Sequence, residues 1–145
     1  MPFHYDISEE LNLVVYVGAG TVNAKDFFNT GDEVAGDSRL RPRMRIIIDV
    51  TLCVFEVYPG DFKLVTQKFN ESKQRGQEVG HTAVVSHSTG LKLLNDAIKL
   101  IMHETSLDTG IFHTEADAIR WHGLPEEAAL PFWMQVREQA RAQAR

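Results

Sequence analysis

A hydroxyl nucleophile and a histidine base stand side by side in the stretch Ser86, His87, Ser88 and Thr89. A serine activated by a histidine, with helix amides to hold an oxyanion, would be the machinery of a small hydrolase. Adjacent side chains rarely point at each other, however, and no third group that would orient the histidine can be identified. The pattern therefore favours a capped helix start with a surface histidine, and a small anion, if one binds, is expected here.

Asp49 ends an apolar run that contains three consecutive isoleucines, within residues 44–51. Such a run is typical of a strand that is covered on both faces, as in a largely parallel sheet between helices. Ligands and partners usually meet such sheets at the carboxyl ends of the strands. We therefore predict one binding rim at this edge, formed by the loops after Asp49 and after Ser86. Its residues are Asp49, Thr51, Pro59, Gly60, Asp61, Ser86, His87, Ser88 and Thr89.

Two other patterns are weaker. Gly18, Gly20 and Asn23 resemble a dinucleotide-binding turn without its third glycine. Alternate arginines at 39–45 would share one side of an extended segment and could grip a phosphate, but a solvated connection is favoured. The histidines show no paired ligand spacing, so neither a metal nor a cofactor is predicted. They are His4, His81, His87, His103, His113 and His122.

The composition indicates one soluble domain. The chain has 145 residues, of which 43% are hydrophobic, and a net charge of −5 that argues against nucleic acid as a partner. The single Cys53 allows no intramolecular disulfide, which fits a reducing, cytoplasmic compartment. The amino terminus does not resemble a signal peptide, and no apolar run is long enough to span a membrane.

Hydrophobic spacing predicts alternating strands and helices. They imply an α/β fold, with a mixed, mostly parallel central sheet of about five strands, helices packed on it and an appended C-terminal helix. Strands are predicted at 3–7, 11–17, 44–50, 81–86 and 110–113, and helices at 24–35, 59–75, 88–103 and 114–121. Residues 53–58 are extended, either as a further strand or as a crossing, and 123–131 form a linker before a last helix.

The last helix begins with large apolar side chains, Phe132, Trp133 and Val136, after a domain of residues 1–124 should be complete. Residues 125–145 are therefore treated as a C-terminal extension. Two accounts remain open: the helix folds back onto its own domain, or it packs against another copy. We predict a homodimer with these three residues at its interface, because large aromatics contribute much of an interface's energy.

The order of elements resembles the SpoIIAA-like family of STAS domains, which share features with lipid-binding CRAL-TRIO domains. The resemblance covers about residues 3–124 and is carried by residues 37–42, by the strand that ends at Asp49, and by residues 112–121. In the phospho-switch members, a phosphorylatable serine lies at the helix start after that strand. Here the corresponding residues are 57–61, where Pro59 removes an amide donor and Asp61 supplies a fixed negative charge. Of the phospho-switch features, only the Asp that ends the strand is present here, as Asp49.

Three functions are compatible with these observations. The first is a non-catalytic STAS-like binding or regulatory module that contacts an unidentified protein partner through the rim. The second is a carrier of an apolar, lipid-like molecule, suggested by phenylalanines at 27, 28, 55, 62 and 69, although a domain of this size needs such residues for its core. The third is the small hydrolase centred on His87.

Overall fold

A computed structural model describes residues 2–56, 58–74, 81–87 and 109–144. Five strands and four helices lie within these ranges. The strands are β1 (Phe3–Ser8), β2 (Leu13–Asn23), β3 (Arg45–Glu56), β4 (Thr82–Val85) and β5 (Thr109–Phe112). The helices are α1 (Ala24–Ala35), α2 (Asp61–Gln74), α3 (Glu115–His122) and α4 (Glu126–Ala144). The helix predicted at 88–103 lies outside the described residues.

The strands form one sheet in the order β1-β2-β3-β4-β5. The hairpin of β1 and β2 is antiparallel, and every other neighbouring pair is parallel, which confirms the mixed, mostly parallel sheet. Asp49 in β3 pairs with Val85 in β4, which pairs with Phe112 in β5. The residues that follow these three positions therefore meet at one edge of the sheet. We call residues 49–51, 86–87 and 113–115 the carboxyl edge.

β3 continues well past Asp49. The extended residues 53–56, which the sequence left undecided, belong to the same strand and pair with an equally long β2. A register shift between Val17 and Ala19 allows β2 to continue to Asn23, whereas the sequence predicted its end at 17. β4 pairs with β3 only up to Asp49, so β2 and β3 extend together beyond the part of the sheet that β4 joins.

The two glycines of the nucleotide-like pattern lie inside β2 and not in a turn. A Cβ atom on Gly18 would lie 2.9 Å from Cε1 of Phe3 and 3.1 Å from Sγ of Cys53, so only glycine fits between these side chains. Gly20 has a φ of +77°, which side-chain-bearing residues rarely adopt. Packing and backbone conformation explain both glycines. The dinucleotide interpretation is wrong, because an extended strand does not form the tight turn that cradles a pyrophosphate.

Both faces of the sheet are covered. Val14 and Tyr16 of β2 face one apolar cluster, which includes Val34 of α1, and Val15 and Val17 face the other. α3 and α4 cover that second face through Ala118, Ile119, Ala129, Trp133, Val136 and Ala140. Alternate side chains of one strand thus reach two separate cores, as expected for a strand that is buried on both sides.

Polar side chains cap two of the helices. The Asn23 side chain accepts from the Asp26 N–H, and Asp26 accepts from the Asn23 N–H in return, which completes a capping box at the start of α1. Thr114 accepts from the Asp117 N–H at 3.2 Å and starts α3. α3 ends at Gly123, whose φ of 69° is the left-handed conformation favoured at such ends.

α4 starts earlier than predicted. The linker predicted at 123–131 is wrong, because the helix begins at Glu126 and contains Pro131. Proline removes one helical hydrogen bond, but burial of apolar side chains on both sides of it, such as Ala129 and Trp133, favours the continuous helix. Ala129, Trp133, Val136 and Ala140 share one fully buried face. The helix therefore folds back onto its own sheet, which is the first of the two arrangements that the sequence left open.

Across the described ranges, no helix has the length and apolar character needed to cross a membrane.

Candidate functional site

The site is built around the carboxylate of Asp49, which is fully buried. Its Oδ1 atom accepts hydrogen bonds from the Thr51 N–H at 2.9 Å and from the Thr51 hydroxyl at 2.6 Å. Its Oδ2 atom accepts from Nε1 of Trp133 at 2.8 Å and from Nε and Nη2 of Arg137 at 2.9 and 2.8 Å. A buried charge is tolerated when it is paired and hydrogen-bonded, and both conditions are met here.

Strand geometry explains why Asp49 meets these partners. Side chains alternate across a strand, so Asp49 lies on the same face as Ile47, the face that α3 and α4 cover. Trp133 and Arg137 are four residues apart on α4 and therefore share one side of the helix. The Arg137 guanidinium also lies over the Trp133 ring, 5.6 Å from its centroid. One strand and one helix thus build the centre of the site.

Arg137 extends the network toward the surface. Its Nη2 atom, which donates to Asp49, also lies 3.1 Å from Oε1 of Glu115, the first residue of α3. The same Glu115 oxygen lies 2.6 Å from Nε2 of His87, which follows β4. Asp49, Arg137, Glu115 and His87 therefore form one continuous chain of contacts, which we call the relay. Its inner end is buried, whereas 54% of the His87 side chain is exposed.

The electrostatics of Glu115 determine the state of His87. Burial alone raises the pKa of Glu115, but hydrogen bonds from His87, from its own backbone and from Arg137 outweigh burial and hold the pKa below its ordinary value. An ionised carboxylate only accepts hydrogen bonds, so Nε2 of His87 carries the hydrogen. In the neutral ring, Nδ1 is then left as an acceptor. The contact with Glu115 therefore fixes which tautomer the neutral ring adopts.

The predicted rim residues fall into two groups. Asp49 and Thr51 bond to each other, and Ser86 and His87 lie at the same carboxyl edge, where the relay joins His87 to Asp49. Ser86 is buried, and its backbone N–H donates to the Phe112 carbonyl. Ser88 and Thr89 lie outside the described residues.

Pro59, Gly60 and Asp61 do not join this group. Seven further residues of β3, from Val50 to Glu56, separate Asp49 from that turn, which corresponds to roughly 20 Å of strand. The Asp61 carboxylate instead accepts the Tyr58 N–H at 2.7 Å, next to the start of α2. The prediction of a single rim is therefore corrected. The structure joins the residues near Asp49 to those near Ser86, but the turn at 59–61 lies at a different part of the sheet.

The alternate arginines do not form a row. Residues 37–44 make turns, so the extended geometry that would align these side chains is absent from this segment. Arg39 pairs with Asp6 at 2.7 Å and with Asp37 at 3.0 Å. The Nε atom of Arg45 donates to the His122 carbonyl. These contacts tie the loop to β1 and α3, and the anion-gripping interpretation is wrong.

The predicted interface residues lie largely inside the domain. Trp133 and Val136 are fully buried in the core of a single chain, and Phe132 is partly buried beside it. Sequence reasoning placed Trp133 at a dimer interface and missed Arg137 and Glu115 altogether. One signal was present: Arg137 interrupts the apolar stripe that Trp133 and Ala140 define, and a charge on a buried stripe requires a buried counter-ion.

Cys53 carries no sign of reactivity. Its thiol is partly buried, and burial, together with the nearby charge of Asp49, raises its pKa to about 12. The thiolate is the reactive form, so this cysteine remains a protonated packing residue at neutral pH. Within the described ranges, no three His, Cys, Asp or Glu side chains are grouped so that they could hold a metal ion.

Comparisons with known proteins identify the fold. No family model matches the chain, and no curated protein matches its sequence. A solved structure does match: an uncharacterized protein of the DUF3478 family with a SpoIIAA-like fold, from Shewanella loihica PV-4. The two share 16% sequence identity over 82% of this chain and 90% of the other, with a TM-score of 0.52. The fold is SpoIIAA-like. This confirms the resemblance drawn from the sequence, and at this identity it establishes the SpoIIAA-like fold alone.

Replacing Asp49 tests the centre of the site. Asp49→Asn keeps the shape of the side chain but leaves Arg137 buried without its main counter-charge. We expect a loss of about 3–5 kcal/mol in the free energy of unfolding, measured by urea denaturation. Asp61→Asn is the matched control, since the hydrogen bond that its carboxylate accepts from Tyr58 is exposed, and it should cost about 1 kcal/mol or less. Equal losses in both variants would contradict the central role of Asp49.

The lowered pKa of Glu115 predicts a pH dependence. A carboxyl whose pKa is lower in the folded chain stabilises the fold above its unfolded value, about 4.3, and that contribution is lost as pH falls through the folded value. Glu115→Gln should therefore destabilise the chain at pH 7 and match the wild type increasingly as the solution is acidified below about pH 4. Urea midpoints measured between pH 7 and pH 3 test this, with Glu127→Gln as an exposed control. A stability gap that is independent of pH would contradict the assignment.

Proposed function

We propose that this chain is a non-catalytic STAS-like binding module that contacts a protein partner at the carboxyl edge, around His87 and Glu115. The observation that carries the proposal is the state of His87: 54% of its side chain is exposed, yet its ring is fixed by the 2.6 Å contact with Glu115. The relay behind Glu115 keeps that contact anchored to the core. An exposed side chain that is already ordered loses little entropy when a partner binds.

The position in the fold supports the same conclusion. In open sheets with parallel strands, ligands and partners meet the edge beyond the carboxyl ends, and His87 and Glu115 follow β4 and β5 at that edge. The two strands differ in chain position, but their pairing brings the residues that follow them together. A SpoIIAA-like fold is compatible with a STAS-like module, and the relay gives that fold a defined surface.

The chemistry of the surface favours a partner that offers hydrogen-bond donors. In the neutral ring, Nδ1 of His87 accepts, and the side chain of Glu115, which ends in a carboxylate, is 24% exposed. Asp117, two residues further into α3, is also exposed and negatively charged, and it pairs with Arg120 at 3.4 Å. Lysine, arginine or hydroxyl side chains of a protein partner are complementary to this set.

Site-specific crosslinking tests the proposal. A photo-reactive residue at position 117, beside the edge, should capture a protein from the source cells, whereas the same residue at exposed position 32 on α1, across the sheet, should not. With the captured partner purified, His87→Ala should weaken binding at least about tenfold, as expected for a contact that anchors an interface. Lys25→Ala on α1 is the control.

Capture at position 32 alone, or a partner that binds the His87→Ala variant as tightly as the wild type, would refute the proposal.

A second candidate is the small hydrolase, because the structure supplies a group that the sequence did not reveal. Glu115 contacts His87 as the orienting acid of a nucleophile-base-acid site would, and Nδ1 is the nitrogen left to act as a base. Ser86 is buried, so the nucleophile of this candidate is Ser88, the other serine that the sequence offers beside His87. If this function holds, the wild type should hydrolyse activated esters, and His87→Ala should reduce the rate at least about 100-fold. Undiminished hydrolysis in that variant would exclude it.

The apolar carrier and the homodimer stay predictions. Phe27, one of the aromatics that suggested a carrier, packs against Phe3 and Tyr16 with centroids 5.6 and 5.4 Å apart, which is ordinary core packing. Because Trp133 and Val136 are buried in one chain, a dimer that preserves this fold has to use other residues at its interface, such as Phe132.

A further inference from the structure

We propose that the relay couples His87 to helix α4, so that a partner which engages His87 also changes how firmly the middle of α4 is held on the sheet. The effect on the partner rests on the proposed function. The coupling itself is a property of the free chain and is tested without any partner.

Two shared atoms make the coupling direct. Oε1 of Glu115 contacts both Nε2 of His87, at 2.6 Å, and Nη2 of Arg137, at 3.1 Å. Nη2 of Arg137 in turn donates to Oδ2 of Asp49, at 2.8 Å. His87 and Arg137 thus share one acceptor atom, and two carboxylates share one donor group. If the contact between His87 and Glu115 changes, the charge and position of the Glu115 oxygen that Arg137 contacts change as well. The same holds in the opposite direction, from Asp49 through Arg137 to Glu115.

Burial keeps the inner contacts of the relay, between Arg137 and Asp49, from being screened by solvent. Asp49 is fully buried and Arg137 nearly so, with a side chain that is 10% exposed. Hydrogen bonds in such surroundings are stronger than in water and polarise one another along a chain. When the His87 ring leaves Glu115, the carboxylate loses a charge-stabilising contact and Arg137 has to rebalance between Glu115 and Asp49. The disturbance therefore reaches the centre of the site.

The inner end of the relay is the attachment of α4. Arg137 belongs to α4, and the neighbouring Trp133 indole binds the same oxygen of Asp49. The apolar contacts of Ala129, Val136 and Ala140 hold the helix on the sheet independently of the relay. A disturbed relay is therefore expected to loosen the turn around Trp133 and Arg137 while the helix stays docked.

Amide hydrogen exchange on the purified full chain tests the coupling. His87→Ala should accelerate exchange of α4 amides in residues 133–140 by a factor on the order of five or more, the lower range of typical coupling between sites. The α1 amides, on the opposite face of the sheet, should change little. In a Glu115→Ala background the relay is already broken, so adding His87→Ala should produce no further acceleration in α4.

His113→Ala is the matched control, because this histidine lies at the same edge but donates through Nδ1 to the Ser86 carbonyl and not to the relay. It should leave α4 exchange near the wild-type rate. Unchanged α4 exchange in His87→Ala, equal acceleration in α1 and α4, or the same acceleration in the Glu115→Ala background would overturn the coupling. The crosslinking experiment tests the protein partner and the exchange experiment tests the coupling. Each can fail while the other succeeds, so the two failures are distinguishable.

Discussion

One buried carboxylate joins the sheet of this protein to its last helix. Five donor contacts from Thr51, Trp133 and Arg137 converge on Asp49, and three of them come from α4. Removing a carboxylate from water is unfavourable by several kcal/mol, so the arrangement is stable only when all of these contacts form together. The carboxylate thereby selects one position of α4 on the sheet, while the apolar stripe of that helix supplies most of the attraction.

The same carboxylate gives the surface its order. Glu115 and His87 stand at the ends of different segments, and each alone would be an ordinary exposed side chain. Arg137 connects them to the core because its guanidinium has several donors in a fixed plane and can serve Asp49 and Glu115 at once. A rigid polar surface at the carboxyl edge is thus a consequence of the way the core is closed. The proposed binding function and the proposed coupling both depend on this set of contacts around Asp49 and Arg137.

The SpoIIAA-like fold contributes the placement of these parts. Parallel pairing aligns Asp49 of β3 with the ends of β4 and β5, so residues far apart in sequence arrive at one edge. The extension of β2 and β3 beyond that alignment moves the turn before α2 away from it. The carboxyl edge is therefore made by residues 49–51 of β3 and by the residues that follow β4 and β5, and the turn at 59–61 belongs to a different part of the surface.

The sequence by itself determined the types and order of the described elements and the two-sided burial of the isoleucine strand, because each depends on the pattern of side chains within one segment. Only the tertiary structure decided the length of β3, the helical path through Pro131, and the union of Asp49 with Arg137, Glu115 and His87. These features depend on contacts between residues dozens of positions apart, where strand pairing and core burial outweigh local preference. Local patterns cannot show which buried charge meets which counter-charge, since that choice is made when the layers pack.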